Sequence, residues 1–228
     1  MSGHSKWANI KRQKEVNDKA RGNVFAKLSR IITLAVLEGG GITNPDNNVK
    51  LRLAIEKAHQ ANMPKDNIKR AIEKGVGPDK AILKEAIVEG FAPGGVAMII
   101  LATTDNLNRT ISEIRNVLER HQGKMAGGAS VSYLFQKCAS ISFNKTEKTE
   151  DQVFELAEQL NAFDIISDDT HFTVYFPYEN LGRVKGAEVD YRPFTPVILN
   201  DVDMRKLSLL VDDLENLDDV HKVFVNLQ

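Results

Sequence analysis

The stretch AIVEGFAPGGVAMIIL, from Ala86 to Leu101, decides how the larger part of the chain folds. Residues 86–88 and 96–101 are apolar runs, and Phe91–Gly95 between them holds one proline and two glycines. Because proline fixes φ and glycine accepts positive φ, this segment is typical of a tight turn between antiparallel strands. The pattern predicts a β-hairpin.

The residues after the hairpin predict further helices and strands. The predicted helices cover 109–121, 153–160 and a segment capped by Asn200 or Asp201, and the predicted strands cover 131–135, 139–143, 164–166, 172–176, 197–199 and 223–225. Their inward side chains are predicted to include Ile111, Ile114, Val117, Leu118, Val153, Phe154, Ala157, Leu160, Leu207, Leu210, Val211 and Leu214. The order indicates antiparallel α+β structure with an insertion inside one domain.

The residues before the hairpin have a helical pattern. From Val24 to Ala35 apolar residues recur at steps of three and four, with Lys27 and Arg30 on the other face. Glycine and proline set the predicted ends: Gly39–Gly41 ends the first helix, Asn44-Pro45 caps and begins the second, Pro64 begins the third and Gly75 ends it. The buried side of the second helix is predicted at Val49, Leu53, Ala54, Ala58 and Ala61.

Charge is distributed unevenly along the chain. The 228 residues carry a net charge of −1, but residues 1–75 hold fifteen Lys/Arg and seven Asp/Glu, a net +8. The remaining residues hold fifteen and twenty-four, a net −9. Since a cationic segment attracts phosphates, the sequence predicts nucleic acid as the partner of the N-terminal part.

Several other classes of protein are disfavoured. Cys138 is the only cysteine, and the apolar run Val96–Ala102 is far too short to span a bilayer. We find no nucleotide-binding, metalloprotease or nucleophile motif, and the histidines are scattered. We therefore expect a cytoplasmic, non-enzymatic protein with no metal, cofactor, small-molecule substrate or membrane partner.

The densest polar cluster in the larger part of the chain is Thr103–Thr110, which lies between a predicted strand and a predicted helix. Turn and cap hydrogen bonds are the favoured explanation for its side chains. A second nucleic-acid contact through Asp105, Asn106, Asn108 and Arg109 is the alternative, and catalysis by Asp105, Asn106 and Arg109 is the least favoured.

The N-terminal thirty residues hold eight Lys/Arg against two acids, together with the only tryptophan. Trp7 either stacks on an unpaired base or anchors the segment to the rest of the protein. The predicted nucleic-acid-binding residues are His4, Ser5, Lys6, Trp7, Asn9, Lys11, Arg12, Lys14, Lys19, Arg21, Lys27, Arg30 and Lys65.

These residues also carry a resemblance. The chain resembles the YebC/PmpR family, which includes the mitochondrial translational activator of cytochrome c oxidase subunit I. The matching motifs run nearly from end to end: Gly3–Lys11, Phe25–Leu28, Gly39–Gly41, Asn44-Pro45, Leu51–Ile55, Asn62–Ile68, Arg70–Ile72, Glu89–Phe91, Pro93–Ala97, Thr104–Asn106 and Asn108–Thr110.

The resemblance implies an α+β protein of three domains. They are a basic N-terminal arm with a three-helix domain (1–77), a split ferredoxin-like α/β domain (78–136 and 196–228) and a small inserted α/β domain (137–195). It also implies a regulator that binds promoter DNA, or alternatively a factor that associates with the ribosome and ribosomal RNA and helps translation through proline-rich stretches. Neither description involves a cofactor or an enzymatic reaction.

Overall fold

The computed structural model describes residues 21–77 and 82–227, with side chains from Asn23 onward. The predictions that concern residues 1–20 lie outside the described residues. Three helices make up the first part: α1 (Arg21–Glu38), α2 (Val49–Gln60) and α3 (Lys65–Glu73). Their shared core is apolar and consists largely of Leu28, Ile32, Ala35, Val36, Leu51, Ala54, Ala58, Met63, Ile68 and Ala71.

The start of α2 differs from the prediction. Asn44-Pro45 begins only a 3-10 turn over Pro45–Asn47, and Asn48 caps α2, its side-chain oxygen accepting from Leu51 N at 3.1 Å. In this helix Val49 is exposed, while Leu51 is buried in the shared core. The prediction that Val49 is buried was wrong.

A four-stranded antiparallel sheet and two helices form the second part. Its elements are β1 (Lys84–Ala92), β2 (Val96–Thr104), α4 (Leu107–Arg120), β3 (Lys124–Met125), α6 (Asp201–Glu215) and β8 (Val220–Val225), with strand order β3-β1-β2-β8. The predicted hairpin is confirmed: β1 pairs with β2, and the turn places Gly94 at φ 79° and Gly95 at φ 76°. Both faces of β2 are buried because α4 and α6 cover one face, while Phe135 and Tyr191 pack against the other.

A second antiparallel sheet forms the inserted part. Its elements are β4 (Phe135–Asn144), α5 (Glu150–Gln159), β5 (Asp164–Ser167), β6 (His171–Pro177) and β7 (Glu188–Pro193), with strand order β5-β6-β4-β7. The α5 helix packs on one face of this sheet through Val153, Ala157 and Leu160. A helical N-terminal region followed by two antiparallel sheets confirms the predicted α+β class, whereas the predicted domain boundaries stay predictions.

Several element predictions were wrong. Most of the predicted strand 131–135 is a 3-10 turn over Ser132–Leu134, and only Phe135 belongs to a strand, as the first residue of β4. Residues 197–199 contribute only an isolated bridge between Val197 and Leu227. The side chain of Phe154 is 53% exposed rather than inward. The strand β7 was not predicted at all.

Polar contacts join the helical part to both sheets. The α2 helix contacts the inserted part, because Arg52 Nη2 donates to Gly182 O at 2.8 Å and Lys57 pairs with Glu188 at 3.0 Å. Glu188 also pairs with Lys222 of β8 at 2.9 Å. Glu188 of the inserted part therefore pairs with a cation from each of the other two parts.

Candidate nucleic-acid interface

The outer face of α3 is cationic. The helix follows Pro64, and its apolar residues Ile68 and Ala71 are buried in the shared core. Because these two residues face the core, the helical spacing places the other positions of α3 on the solvent side. The exposed cations on and just after α3 are Lys65, Lys69, Arg70 and Lys74.

Residues 65–74 hold these four cations against two exposed acids, Asp66 and Glu73, a net +2. Lys69 approaches Glu73 at 3.9 Å, a long separation for an exposed ion pair. Within the described residues, no ion pair or hydrogen bond involves the side chains of Lys65, Arg70 or Lys74. These three cations therefore have no side-chain partner among the described residues.

A small recess between α1 and α3 adds hydrogen-bonding groups to this surface. It has a volume of about 210 Å³ and is lined by Ser29, Asn67, Arg70, Ala71 and Lys74. Arg70 and Lys74 are four residues apart, so they lie on the same side of the helix. A recess with two cations, a hydroxyl and an amide matches the side-chain types that contact nucleic-acid phosphates.

Of the four cations on this surface, only Lys65 is among the residues that the sequence predicts to bind nucleic acid. Arg70 and Lys74 were missed, although the spacing of Lys65, Lys69, Arg70 and Lys74 places four cations within ten residues. The recess also includes Ser29 of α1. The sequence could not show that Ser29 lines the recess, because this depends on how α1 packs against α3.

Two other predicted contacts, Lys27 and Arg30, lie against the acidic part of the chain. Lys27 Nζ donates to Glu215 O, and Arg30 Nη1 donates to Asp218 O at 2.6 Å. Burial lowers the pKa of Lys27, and the charges of Glu215 and Asp218 only partly offset this effect. Both cations have protein partners and join α1 to the end of α6 and to the segment that follows it.

Asp219 is the centre of a second polar cluster. Its carboxylate is 3% exposed and pairs with Arg30 at 2.5 Å and with Arg109 at 2.8 Å. The Thr110 hydroxyl donates to it at 2.6 Å. Burial acts to raise the pKa of Asp219, but the hydrogen bonds from Arg109 and Thr110 and the charge of Arg30 outweigh burial and hold the pKa below its ordinary value.

The predicted second contact with nucleic acid involves Asp105, Asn106, Asn108 and Arg109. These residues lie beside the Asp219 cluster, where β2 leads into α4. Asn106 caps α4, its Oδ1 accepting from Arg109 N at 3.2 Å, so the helix begins at Leu107 instead of Arg109. The Arg109 guanidinium bonds to Asp105 and to Asp219 at 2.8 Å each. Asn108 is exposed, and its carbonyl accepts from Ser112. The polar residues of this loop therefore cap a helix and bind a buried carboxylate.

The remaining predicted contacts belong to the N-terminal segment. His4 to Lys19 lie outside the described residues, and Arg21 begins α1 without a described side chain.

In the part of the chain that the structure describes, no helix combines the length and apolarity needed to cross a bilayer.

The fold and this surface define a multidomain α+β protein with a basic helical domain. Residues 5–78 match the TACO1/YebC protein N-terminal domain, and residues 83–227 match the TACO1/YebC second and third domain. The chain belongs to the TACO1/YebC family, as its sequence motifs predict.

Similar proteins cover the whole chain. A probable transcriptional regulatory protein of Chloroherpeton thalassium is 41% identical over 241 residues, spanning 100% of this chain and 96% of that protein. One of the same name from Herpetosiphon aurantiacus is 42% identical, spanning 100% of this chain and 95% of that protein. The crystal structure of a conserved hypothetical protein from Aquifex aeolicus superposes with a TM-score of 0.83 at 38% identity, covering 92% of this chain and 91% of that one.

Proposed function

We propose that this protein is a non-enzymatic regulator of gene expression that binds nucleic acid through its helical domain and the basic segment before it. The cationic face of α3 is the observation that carries the proposal. Its exposed cations, with Ser29 and Asn67 beside them, form a surface suited to phosphates. Residues 1–75 carry a net charge of +8, so the whole N-terminal third of the chain attracts phosphates.

Promoter DNA is the proposed ligand, and the cytoplasm is the proposed compartment. The names of the relatives from Chloroherpeton thalassium and Herpetosiphon aurantiacus, probable transcriptional regulatory protein, support DNA. Phosphate contacts position a protein on a duplex without reading its sequence, so target choice requires additional base contacts.

A factor that associates with the ribosome and its RNA is the second candidate. Trp7 among several cations is the observation that favours it, because stacking on an aromatic side chain requires an unpaired base. The net −9 of residues 76–228 would keep that part away from nucleic acid in either case.

The non-enzymatic proposal is supported by the partners of the loop residues. Asp105, Asn106 and Arg109 were the candidates for a reaction, and in the structure they are used to cap α4 and to pair with Asp219. These hydrogen bonds explain the polar cluster without a substrate.

A salt titration tests the proposed interface. In the triple variant Lys65→Ala, Arg70→Ala, Lys74→Ala, we expect weaker binding to a labelled duplex, with the slope of log K against log salt reduced in steepness by up to about 2.7. The matched control Arg115→Ala, Arg120→Ala, Lys185→Ala removes three exposed cations elsewhere. Equal slopes in the triple variant and the wild type would reject α3 as the interface.

Ribosome binding that persists at a salt concentration where duplex binding is lost would favour the second candidate.

A further inference from the structure

A second concave surface lies in the inserted part of the chain, where α5 meets the residues that lead into β5. This groove has a volume of about 850 Å³. It is lined by Asp151, Phe154, Glu155, Ala157, Glu158, Asn161, Ala162 and Ile165. It shares no residue with the cationic recess, so an inference about it is independent of the nucleic-acid proposal.

The groove has an apolar floor that remains open to solvent. Phe154 is half exposed, while Ala162 and Ile165 are partly buried against the core of the inserted part. About half of the Phe154 side chain therefore stays in contact with water. A partner that covered it would remove apolar surface from water, which favours binding.

One wall of the groove leads to the free edge of a sheet. β5 is the first strand in the order β5-β6-β4-β7, and among the described residues it pairs with β6 alone. Its outer edge therefore presents backbone N–H and C=O groups to a further strand. The strand Asp-Ile-Ile-Ser is short and begins with a charged residue, but it holds no proline and no lysine, which are among the residues that protect an exposed edge.

The opposite wall is acidic. Asp151, Glu155 and Glu158 recur on α5 at steps of four and three, and all three line the groove. Within the described residues, no ion pair involves their carboxylates. This charge repels nucleic acid and attracts cationic side chains.

We propose that this groove binds an extended, lysine- or arginine-rich segment of a partner protein. The segment adds a strand to the outer edge of β5, directs an apolar side chain toward Phe154 and Ile165, and places its cations beside Glu155 and Glu158. A free strand edge provides backbone hydrogen bonds to any extended peptide, whereas the acidic wall and the apolar floor select alternating cationic and apolar side chains.

Fluorescence anisotropy with a labelled peptide of alternating lysine and valine tests this site on the full chain. We expect saturable binding that falls about tenfold in the variant Glu155→Lys, Glu158→Lys, because two attractive pairs become repulsive. Phe154→Ala is expected to weaken binding as well, and because Phe154 is 53% exposed, the substitution leaves the buried core of the inserted part intact. The matched control Glu119→Lys, Glu179→Lys makes the same charge change at two exposed positions outside the groove.

Two further peptides separate strand addition from simple charge attraction. A peptide of alternating glutamate and valine is expected not to bind. The lysine–valine peptide with alternate backbone nitrogens methylated keeps its charge but loses hydrogen-bond donors, so it is expected to bind much more weakly. Equal binding of the methylated peptide, or equal loss in the control variant, would overturn the proposal.

Carbodiimide crosslinking followed by mass spectrometry identifies the occupant. Crosslinks from Glu155 or Glu158 to the peptide lysines would support the site. Crosslinks to Lys6, Lys11 or Lys14 within one chain would show that the protein's own N-terminal segment occupies the groove, and the same crosslinks in a dimer band would show a second copy. Either of the last two results would overturn the assignment to a partner protein.

Discussion

Arg30 of α1 and Asp219, the residue just before β8, form an ion pair with 2.5 Å between Nη1 and Oδ1 although 189 positions separate them. The same carboxylate binds Arg109 and Thr110 through its other oxygen. One nearly buried aspartate therefore fixes the start of α4 and attaches the helical domain to the first sheet. A cation that was expected to contact a ligand is held by the protein itself.

Asp219→Asn is expected to lower the free energy of unfolding by about 2–3 kcal/mol, since two guanidinium groups lose a buried anionic partner. Thermal unfolding followed by circular dichroism measures the change. The control is Asp105→Asn, which also removes a partner of Arg109 but at a side chain that is 60% exposed, so we expect a loss below about 1 kcal/mol. Equal losses in the two variants would contradict the role given to Asp219.

Gly182→Ala is expected to loosen the contact between α2 and the inserted part. A Cβ at this position would lie 2.8 Å from Val49 Cγ1, and the Val49 side chain is β-branched on a helix, so it has few alternative rotamers. We expect a loss of about 1 kcal/mol in the free energy of unfolding from the crowding.

The double variant Gly182→Ala, Val49→Ala tests that reason. Val49 is exposed, so its truncation alone has little effect, but in the double variant it removes the clashing methyl groups. Most of the lost melting temperature should therefore return. A double variant that is no more stable than Gly182→Ala alone would show that the side-chain clash is not the cause.

His221 of β8 makes stability depend on pH. Burial, with the positive charges of Lys57 and Lys222, lowers the pKa of His221 from 6.5 to about 4. Between these values the unfolded chain binds a proton that the folded chain does not. The contribution to stability is therefore complete above pH 6.5 and is lost as the pH falls toward 4, by up to about 3 kcal/mol.

Melting temperatures at pH 7 and pH 5 measure this effect, and proton NMR of the His221 ring follows the titration directly. In His221→Gln the difference between the two pH values should shrink, because the glutamine does not titrate. A His221 resonance that titrates near 6.5 in the folded protein would refute the prediction.

Local patterns were enough to predict much of the fold. The hairpin at Phe91–Gly95, the α6 stripe and the Asn200 cap all depend on residues close in sequence, and the structure confirms them. The strand β7 was missed because it holds only two large apolar residues, Val189 and Tyr191, among charged ones. The start of α2 was misplaced because Asn44 and Asn48 are both good caps, and only tertiary packing distinguishes them.

The site was less predictable from sequence than the fold. Lys65 could be chosen from its charge and helical context, but the recess beside Arg70 requires Ser29 from another helix. Charge alone does not separate Lys27 and Arg30 from the other N-terminal cations. Their partners lie about 190 residues away, so only the three-dimensional structure shows where they bind.

Trp7→Ala distinguishes the two explanations given for this side chain. If the indole stacks on unpaired bases, binding to single-stranded RNA should weaken more than binding to a duplex of equal length, because stacked duplex bases are not accessible. Anisotropy titrations with the two labelled ligands at matched salt measure the ratio. Equal weakening together with a lower melting temperature would favour the anchor.

The N-terminal cations are expected to contribute unequally to binding. Changing Lys6, Lys11, Arg12 and Lys14 to alanine should reduce the salt slope on a duplex by about 3–4, because each phosphate contact contributes about 0.9.

Lys27→Ala and Arg30→Ala should leave the slope nearly unchanged and instead lower the melting temperature, since both side chains are bonded to the segment before β8. A reduced slope in Arg30→Ala would mean that the ligand displaces Asp219 from this cation. An unchanged slope in the four-alanine variant would mean that the basic segment is only a solvated surface.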